Sequence, residues 1–274
     1  METITSPNND RVKMVTKLMK SAKERRNTAL YAVEGVRMTQ EIPEDDLDTL
    51  FFTQDFYDKS ILGNDRLKRL VDRADHNGRC FVVSDSVIKH MCDTETPQGI
   101  LALVRMRKNE LVDIFGDGSE PPLILIVERL QDPGNMGTII RAAEGAGVTG
   151  ILVSFDSVDI YSPKVIRSTM GSVFRKKIVV SRDLLSDIEK LKEKGVSVFG
   201  MHLDGSTMYE TDLTGPVAFL IGNEGAGLSE DVSKSADKLI KIPMKGEVES
   251  LNAAVSACLI SYEAMRQRSC KTII

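Results

Sequence analysis

Short apolar runs and stretches of helical periodicity alternate along the first half of the chain. An apolar residue recurs every three or four positions over 8–25, which predicts a helix with one packed face and one charged face. Further helices are expected over 61–74 and 85–91, and strands over 31–33, 50–52, 80–83 and 101–104. Short helices and strands mixed in this way are typical of a small α/β domain.

The second half repeats the alternation more regularly. Its apolar runs are rich in β-branched residues and predict strands over 123–127, 150–153, 196–200 and 217–221. Because helical stretches separate them, these strands favour an α/β fold with a mainly parallel sheet and ligand loops at the carboxyl ends of its strands. A polar stretch rich in glycine and proline separates the halves. We therefore expect a first domain over 1–105, a linker over 106–120 and a second domain over 121–274.

The last helix, expected over 251–268, carries many small residues. Alanine and serine surround a stripe formed by Leu251, Ala254, Val255, Cys258, Leu259 and Tyr262. This pattern fits a buried core helix, and it is also compatible with a dimer interface or a wall of a cofactor site.

Composition places the chain among globular proteins and disfavours several other classes. Of 274 residues, 42% are hydrophobic and 28% charged, and no apolar run approaches the roughly 18 residues that span a bilayer. The first ten residues lack the basic start and apolar stretch of a secretory signal, so we expect a cytosolic protein without membrane association. No metal-binding spacing occurs among the cysteines, which favours free thiols and no metal at Cys80, Cys92, Cys258 and Cys270.

Charge is distributed unevenly along the chain. The formal net charge of −4 does not favour nucleic-acid binding by the protein as a whole. Residues 11–26, however, contain seven basic residues and one acid, and residues 160–182 contain six basic residues and no acid. A basic run is commonly only a solvated helix face, so these segments predict an RNA contact only in combination with other signals.

Three glycine-bearing segments follow apolar runs in the second half. The first, Asp132-Pro133-Gly134-Asn135-Met136-Gly137, opens a helix whose first N–H groups favour an anion. Arg141 follows in that helix, where it fits either a buried ion pair with Glu144 or a role at the site.

The second segment, Gly222-Asn223-Glu224-Gly225-Ala226-Gly227, has the glycine order G-x-x-G-x-G. Dinucleotide-binding folds carry G-x-G-x-x-G, so by itself this segment predicts only a tight loop that a flat ligand can approach. The third segment runs from Ile242-Pro243-Met244-Lys245-Gly246 through Val248-Glu249 to Ser250-Leu251-Asn252. Ser250 or Asn252 fits a helix N-cap, and both fit a substrate-positioning cluster.

Taken together, the three segments resemble the motifs of the SpoU (TrmH-type) branch of the SPOUT RNA methyltransferases. The shared patterns are D-P-x-N-x-G-x-x-x-R, G-x-E-x-x-G and I-P-M-x-G-x-x-x-S-L-N. Residues 6–35 and Thr96-Pro97-Gln98-Gly99 resemble the substrate-binding domain of the same family, a small α/β module similar to a ribosomal-protein fold.

The resemblance implies a fold, a cofactor and a dimer. Members carry a trefoil knot, formed by the second and third motifs, that holds S-adenosylmethionine. The implied cofactor-binding residues are Gly222, Ile242, Met244 and Leu251, and the implied catalytic residues are Asn135, Arg141, Glu224, Ser250 and Asn252. Members are homodimers in which the arginine of the first motif completes a site at the interface. For RNA binding, we expect contributions from Arg25, Arg26, Arg37, Lys164 and Arg167.

The implied function is S-adenosylmethionine-dependent methylation of a ribose 2′-hydroxyl, with large-subunit ribosomal RNA preferred as substrate. Because a guanidinium keeps its proton near neutral pH, we expect Arg141 to hold a phosphate and stabilise a developing alkoxide rather than to act as a base. The alternatives are the same chemistry on transfer RNA, a non-catalytic RNA-binding or ribosome-assembly protein of the same fold, and a dinucleotide-dependent enzyme. The intact motif residues disfavour the second alternative, and the glycine order disfavours the third.

Overall fold

The chain forms two compact units in a computed structural model that describes residues 1–246 and 250–271. The first unit consists of Met1–Arg107 and Asp159–Phe174, and the second of Lys108–Val158 and Arg175–Ile274. Residues 159–174 therefore belong to the first unit although strands of the second unit flank them in the sequence. The domain boundaries expected from the sequence stay a prediction.

The elements follow one another in an α/β pattern. The strands are β1 (Glu2–Ile4), β2 (Leu30–Glu34), β3 (Leu47–Phe52), β4 (Cys80–Val83), β5 (Ile100–Arg105), β6 (Leu123–Val127), β7 (Gly150–Ser154), β8 (Lys177–Ser181), β9 (Ser197–Thr207), β10 (Val217–Ile221) and β11 (Lys238–Lys241). The helices are α1 (Asp10–Lys20), α2 (Ala22–Thr28), α3 (Val36–Glu41), α4 (Gln54–Phe56), α5 (Asp65–His76), α6 (Asp85–Met91), α7 (Pro133–Gly145), α8 (Pro163–Thr169), α9 (Leu184–Glu193), α10 (Glu230–Lys234) and α11 (Ala253–Lys271).

A mixed sheet in the order β1-β4-β3-β5-β2 forms the centre of the first unit. The helix expected over 8–25 is wrong as a single element, because it divides into α1 and α2 at Ser21. The backbone of Ser21 is extended, and its Oγ accepts a hydrogen bond from the Glu24 N–H at 3.2 Å. Ser21 thus ends one helix and caps the next.

Residues 159–174 pack within the first unit, where α8 lies against β2. The ring of Tyr161 lies 4.7 Å from that of Tyr31, centroid to centroid. Asp159 accepts hydrogen bonds from Nε of Arg25 at 2.8 Å and from Nη2 at 2.7 Å. The Arg25 guanidinium also donates to the Leu18 carbonyl at the end of α1. This segment therefore carries part of the packing of the first unit.

The second unit contains a six-stranded sheet in the order β11-β9-β10-β6-β7-β8, in which every adjacent pair is parallel. The parallel sheet expected of this half is confirmed. The strands predicted from apolar runs are β6, β7, β9 and β10, whereas the two edge strands, β8 and β11, carry lysines and were not predicted. The knot implied by the resemblance involves the third motif, of which residues 247–249 lie outside the described residues.

The last helix, α11, buries several alanines together with Ile260 and leaves Val255, Leu259 and Tyr262 exposed. Ala254, Ala257 and Ala264 are buried, and α11 lies against α7 and β10. A Cβ on Gly145 of α7 would lie 2.7 Å from the Tyr262 hydroxyl, so the two helices approach closely there. Within the part of the chain that the structure describes, no helix is both long and apolar enough to cross a membrane.

Candidate active site

The first motif follows β6 in the second unit, and the second follows the neighbouring strand β10. Because both strands run in the same direction, the two segments begin side by side at the carboxyl edge of the sheet. Asp132 caps α7 by accepting a hydrogen bond from the Asn135 N–H at 2.7 Å, with Pro133 in the first turn. This cap places Asn135 at the start of the helix, facing the second motif.

Glu224, on the loop after β10, binds the donors of the first motif. Its Oε1 accepts hydrogen bonds from the Asp132 N–H at 3.0 Å and from Asn135 Nδ2 at 3.1 Å, and its Oε2 accepts one from the Gln131 N–H at 3.2 Å. Burial acts to raise the pKa of Glu224, but the hydrogen bonds outweigh it and leave the pKa below its ordinary value. Glu224 is therefore a carboxylate at neutral pH that orients Asn135.

Asn252 joins the third motif to this pair. Its Nδ2 donates to Asn135 Oδ1 at 2.9 Å, while its Oδ1 accepts from the Ala254 N–H at 2.9 Å and from the Val255 N–H at 3.3 Å. The N-cap interpretation of Asn252 is confirmed, and the same side chain takes part in the cluster. Glu224, Asn135 and Asn252 thus form one hydrogen-bonded chain, the Glu224–Asn135–Asn252 chain, which links all three motifs.

A cavity of about 350 Å³ adjoins the Glu224–Asn135–Asn252 chain at Glu224. The four residues expected to bind the cofactor line it, together with Glu224 and Ser250: Gly222, Ile242, Met244 and Leu251. Gly222 has no space for a side chain, since a Cβ there would lie 2.3 Å from the carbonyl carbon of Gly227. The structure therefore brings the expected cofactor-binding residues together around one cavity, and their roles stay predictions.

Arg141 lies apart from this cluster. It is exposed on α7, it does not line the cavity, and it forms no hydrogen bond or ion pair with the residues that the structure describes. Glu144, the ion-pair partner considered above, binds Arg175 instead, with Arg175 Nη2 3.1 Å from Glu144 Oε2. The Arg141 guanidinium is thus available to an external anion.

The residues expected to bind RNA all belong to the first unit, but their exposure differs. Arg26, Arg37 and Lys164 are exposed, whereas Arg167 is partly buried and lies 2.8 Å from Asp93. Arg25 is only 4% exposed and its guanidinium is engaged by Asp159. Because a buried guanidinium cannot reach a phosphate, Arg25 is removed from the expected RNA-binding set.

Two further residues hold the 222–228 loop and were not selected from the sequence. The Oδ1 of Asn223 accepts from the N–H groups of Gly225 at 2.9 Å and Ala226 at 3.0 Å. Glu128, buried after β6, accepts from the Ser229 N–H at 2.8 Å. The tendency of asparagine to bind nearby backbone N–H groups could have revealed Asn223. Glu128 gives no local signal, because its partner lies far along the chain.

Metal ligands do not form a group in the described residues. Within 1–246 and 250–271, no three or more histidine, cysteine, aspartate or glutamate side chains lie together in a way that could hold a metal ion. The four cysteines form no disulfide.

Comparison with known proteins assigns both halves of the chain. The sequence profile of the SpoU rRNA Methylase family matches residues 122–262, and that of the MRM3-like substrate binding domain matches residues 9–102. The chain is 32% identical to the 23S rRNA (guanosine(2553)-2′-O)-methyltransferase RlmP of Bacillus subtilis, over 96% of this chain and 98% of that protein.

Two solved structures share the fold over nearly the full chain. An AdoMet-bound rRNA methyltransferase from Sinorhizobium meliloti superimposes with a TM-score of 0.83 and 28% identity, covering 97% of both chains. The SpoU methyltransferase AviRb from Streptomyces viridochromogenes, in complex with AdoMet, gives a TM-score of 0.80 and 27% identity, covering 96% of this chain and 100% of that one. The predicted fold class is confirmed. The chain belongs to the SpoU rRNA methylase family and is an S-adenosylmethionine-dependent methyltransferase, as the combination of its three motifs predicted.

Proposed function

We propose that the protein methylates the 2′-hydroxyl of a ribose in large-subunit ribosomal RNA. The observation that carries the proposal is the Glu224–Asn135–Asn252 chain, because it joins the three motifs beside a cavity of suitable size. The similarity to RlmP, which extends over both halves of the chain, favours ribosomal RNA over transfer RNA as substrate. On the same grounds we propose that the protein acts in the cytoplasm.

The cavity fits S-adenosylmethionine. Apolar side chains such as Ile242, Met244 and Leu251 suit an adenine ring and a methionine chain, and the bare backbone at Gly222 allows a flat group to approach closely. When bound, the sulfonium supplies an electrophilic methyl group. The protein's own residues then have to align the ribose hydroxyl and exclude water.

In this proposal Asn135 and Ser250 orient the ribose within one chain, with Ser250 lining the cavity. Glu224 and Asn252 fix Asn135 from both sides, so its amide has one orientation only. Arg141 binds the phosphate next to the reacting ribose and stabilises the alkoxide that develops as the hydroxyl loses its proton to a neighbouring group or to solvent.

We also propose that the enzyme is a homodimer and that Arg141 acts on the cavity of the partner. An apolar stripe on α11 supports this, because Val255 is 46%, Leu259 39% and Tyr262 42% exposed. Tyr262 reaches Gly145, which lies on the exposed face of α7 that also carries Arg141. A second copy docked on this stripe therefore lies next to Arg141.

The variant Arg141→Ala tests the catalytic proposal. Loss of a cation that stabilises the transition state is expected to lower kcat for transfer of labelled methyl groups to ribosomal RNA by roughly 100-fold or more. The affinity for S-adenosylmethionine, measured by calorimetry, is expected to stay unchanged because Arg141 does not line the cavity. Turnover close to wild type would rule out this role for Arg141.

Mixing variants tests whether the site is shared between two chains. Leu251→Trp is expected to fill the cavity of its own chain and so prevent methyl transfer there. Arg141→Ala lacks the catalytic cation, so neither variant is expected to be active alone. Co-refolded with Arg141→Ala, Leu251→Trp yields mixed dimers with one intact site, and about a quarter of the wild-type activity should return. If activity does not return although mixed dimers form, Arg141 acts within its own chain.

A further inference from the structure

An exposed aromatic ring lies at the carboxyl edge of the parallel sheet, outside the three motifs. Phe155 directly follows β7 and is 49% exposed. Arg182 directly follows β8, and its guanidinium carbon lies 5.3 Å from the centroid of the Phe155 ring. Phe155 is the one phenylalanine among the exposed large hydrophobic residues of the described chain.

Hydrogen bonds hold the backbone of Phe155 and connect its loop, through Gln131, to Glu224. The Phe155 N–H donates to the Ser181 carbonyl at 2.8 Å, which ties the loop to the end of β8. Nε2 of Gln131 donates to the Asp156 carbonyl at 2.9 Å, while the Gln131 N–H donates to Glu224. Gln131 thus bridges the Phe155 loop and the site, and the backbone that carries the ring is positioned before any ligand binds.

The distance along the sheet edge suits a neighbour of the reacting nucleotide. β7 is the second strand from β10, with β6 between them. At about 4.8 Å per strand, the Phe155 loop begins about 10 Å from the loop that carries Glu224. Both loops leave the sheet at its carboxyl edge, so an RNA strand with its ribose at Glu224 can place an adjacent base at Phe155.

The local chemistry selects the face of a base rather than a phosphate. Asp156 and Asp183, next to Phe155 and Arg182 in the sequence, are both exposed and repel phosphate oxygens. A base carries no charge and has a flat π face, which stacks on an aromatic ring and on a guanidinium. We infer that Phe155 and Arg182 form a stacking platform for an unpaired RNA base that flanks the methylated nucleotide, an inference that rests on the proposed function.

The salt dependence of binding separates stacking from phosphate contacts. In Phe155→Ala, the Kd for a 23S ribosomal RNA transcript is expected to rise roughly 5- to 150-fold, because stacking on one aromatic ring is lost. The slope of log Kd against log salt is expected to stay at the wild-type value, because no cation is removed. Phe155→Trp keeps an aromatic ring at this position and should bind the transcript as tightly as the wild type. Neither variant should change the affinity for S-adenosylmethionine. Leu185→Ala, which removes an exposed apolar side chain three residues beyond Arg182, is the matched control and should bind as wild type does.

Three outcomes overturn the platform: Phe155→Ala binding RNA as tightly as wild type, a changed salt slope, or failure of Phe155→Trp to restore affinity in a folded protein. Methyl transfer by the wild type to the same transcript is measured in parallel. If the wild type transfers no methyl group, the proposed function is contradicted. If the wild type is active and Phe155→Ala binds RNA with unchanged affinity, only the stacking platform is contradicted.

Discussion

At the residue scale, the site depends on the orientation of a single amide. Asn135 donates to Glu224 through Nδ2 and accepts from Asn252 through Oδ1, so a charge on one side and a capping residue on the other fix its two ends. The residue types and their spacing could be predicted from the motifs. The hydrogen-bond directions could not, because Asn135 lies 89 positions before Glu224 and 117 before Asn252 and meets them only in the folded protein.

The variant Glu224→Gln tests this arrangement. Each carboxylate oxygen of Glu224 accepts at least one hydrogen bond from an N–H group. Glutamine replaces one of these oxygens by an NH₂ group, which is a donor and cannot accept that bond. These hydrogen bonds are exposed, so the loss of one costs about 0.5–1.5 kcal/mol, and kcat/KM is expected to fall by roughly 2- to 13-fold. Glu230→Gln, which changes an exposed acid on α10, is the control and should retain wild-type kinetics.

The effect of Glu224 on stability is expected to depend on pH. The hydrogen bonds hold the pKa of Glu224 below its ordinary value, so its contribution is fully present above about pH 4.3 and is lost as the pH falls through the lowered pKa. Urea unfolding of wild type and Glu224→Gln should therefore differ by a constant free energy between about pH 8 and pH 5. The difference should shrink below about pH 4. A difference that persists at low pH would contradict the assigned charge.

At the element scale, the break between α1 and α2 shows where sequence periodicity is insufficient. Apolar residues continue at helical spacing through Ser21, yet the structure ends α1 there. Arg25 and Asp159 provide the reason, because the guanidinium reaches back to the Leu18 carbonyl and is held by an acid from residues 159–174. A basic segment read as an RNA-binding face thus contains one structural arginine.

Replacing that arginine is expected to affect stability more than RNA binding. Arg25→Ala leaves Asp159 without its partner and frees carbonyls at the end of α1, which should lower the free energy of unfolding by about 3–5 kcal/mol. Lys23→Ala, at an exposed position of α2, should change it by less than about 0.5 kcal/mol. Urea denaturation measures both. A loss below about 1 kcal/mol for Arg25→Ala would mean that the pair contributes little.

At the scale of the whole molecule, an acidic protein binds RNA only if its positive charge is concentrated. The first unit carries Arg26, Arg37 and Lys164 on its surface, although the last of these lies far from the others in the sequence. The sequence pattern predicted the strands of the sheet interior well, because continuous apolar runs mark them. It did not assign residues 159–174 to the first unit, since hydrophobic periodicity carries no information about which sheet a helix covers.

Salt titration tests this surface. Reversing Arg26, Arg37 and Lys164 to glutamate should weaken binding to ribosomal RNA and reduce the slope of log Kd against log salt by about 2 to 3. The control reverses three exposed lysines that are not among the residues expected to bind RNA: Lys59, Lys190 and Lys234. These two triple variants carry the same net charge. Equal slopes for both would show that only the overall charge matters.

The placement of residues 159–174 also limits how the chain can be divided. The segment contributes Ile160, Val165 and Ile166 to the buried interior of the first unit, yet it is encoded between β7 and β8. If the chain were cut at the expected linker, 106–120, the C-terminal fragment would keep these apolar side chains. It would lose the rest of the first unit, which buries them. The methyltransferase half of this protein is therefore not an exchangeable module. A gene fusion that gave it a new RNA-binding domain would also have to replace the apolar side chains of residues 159–174.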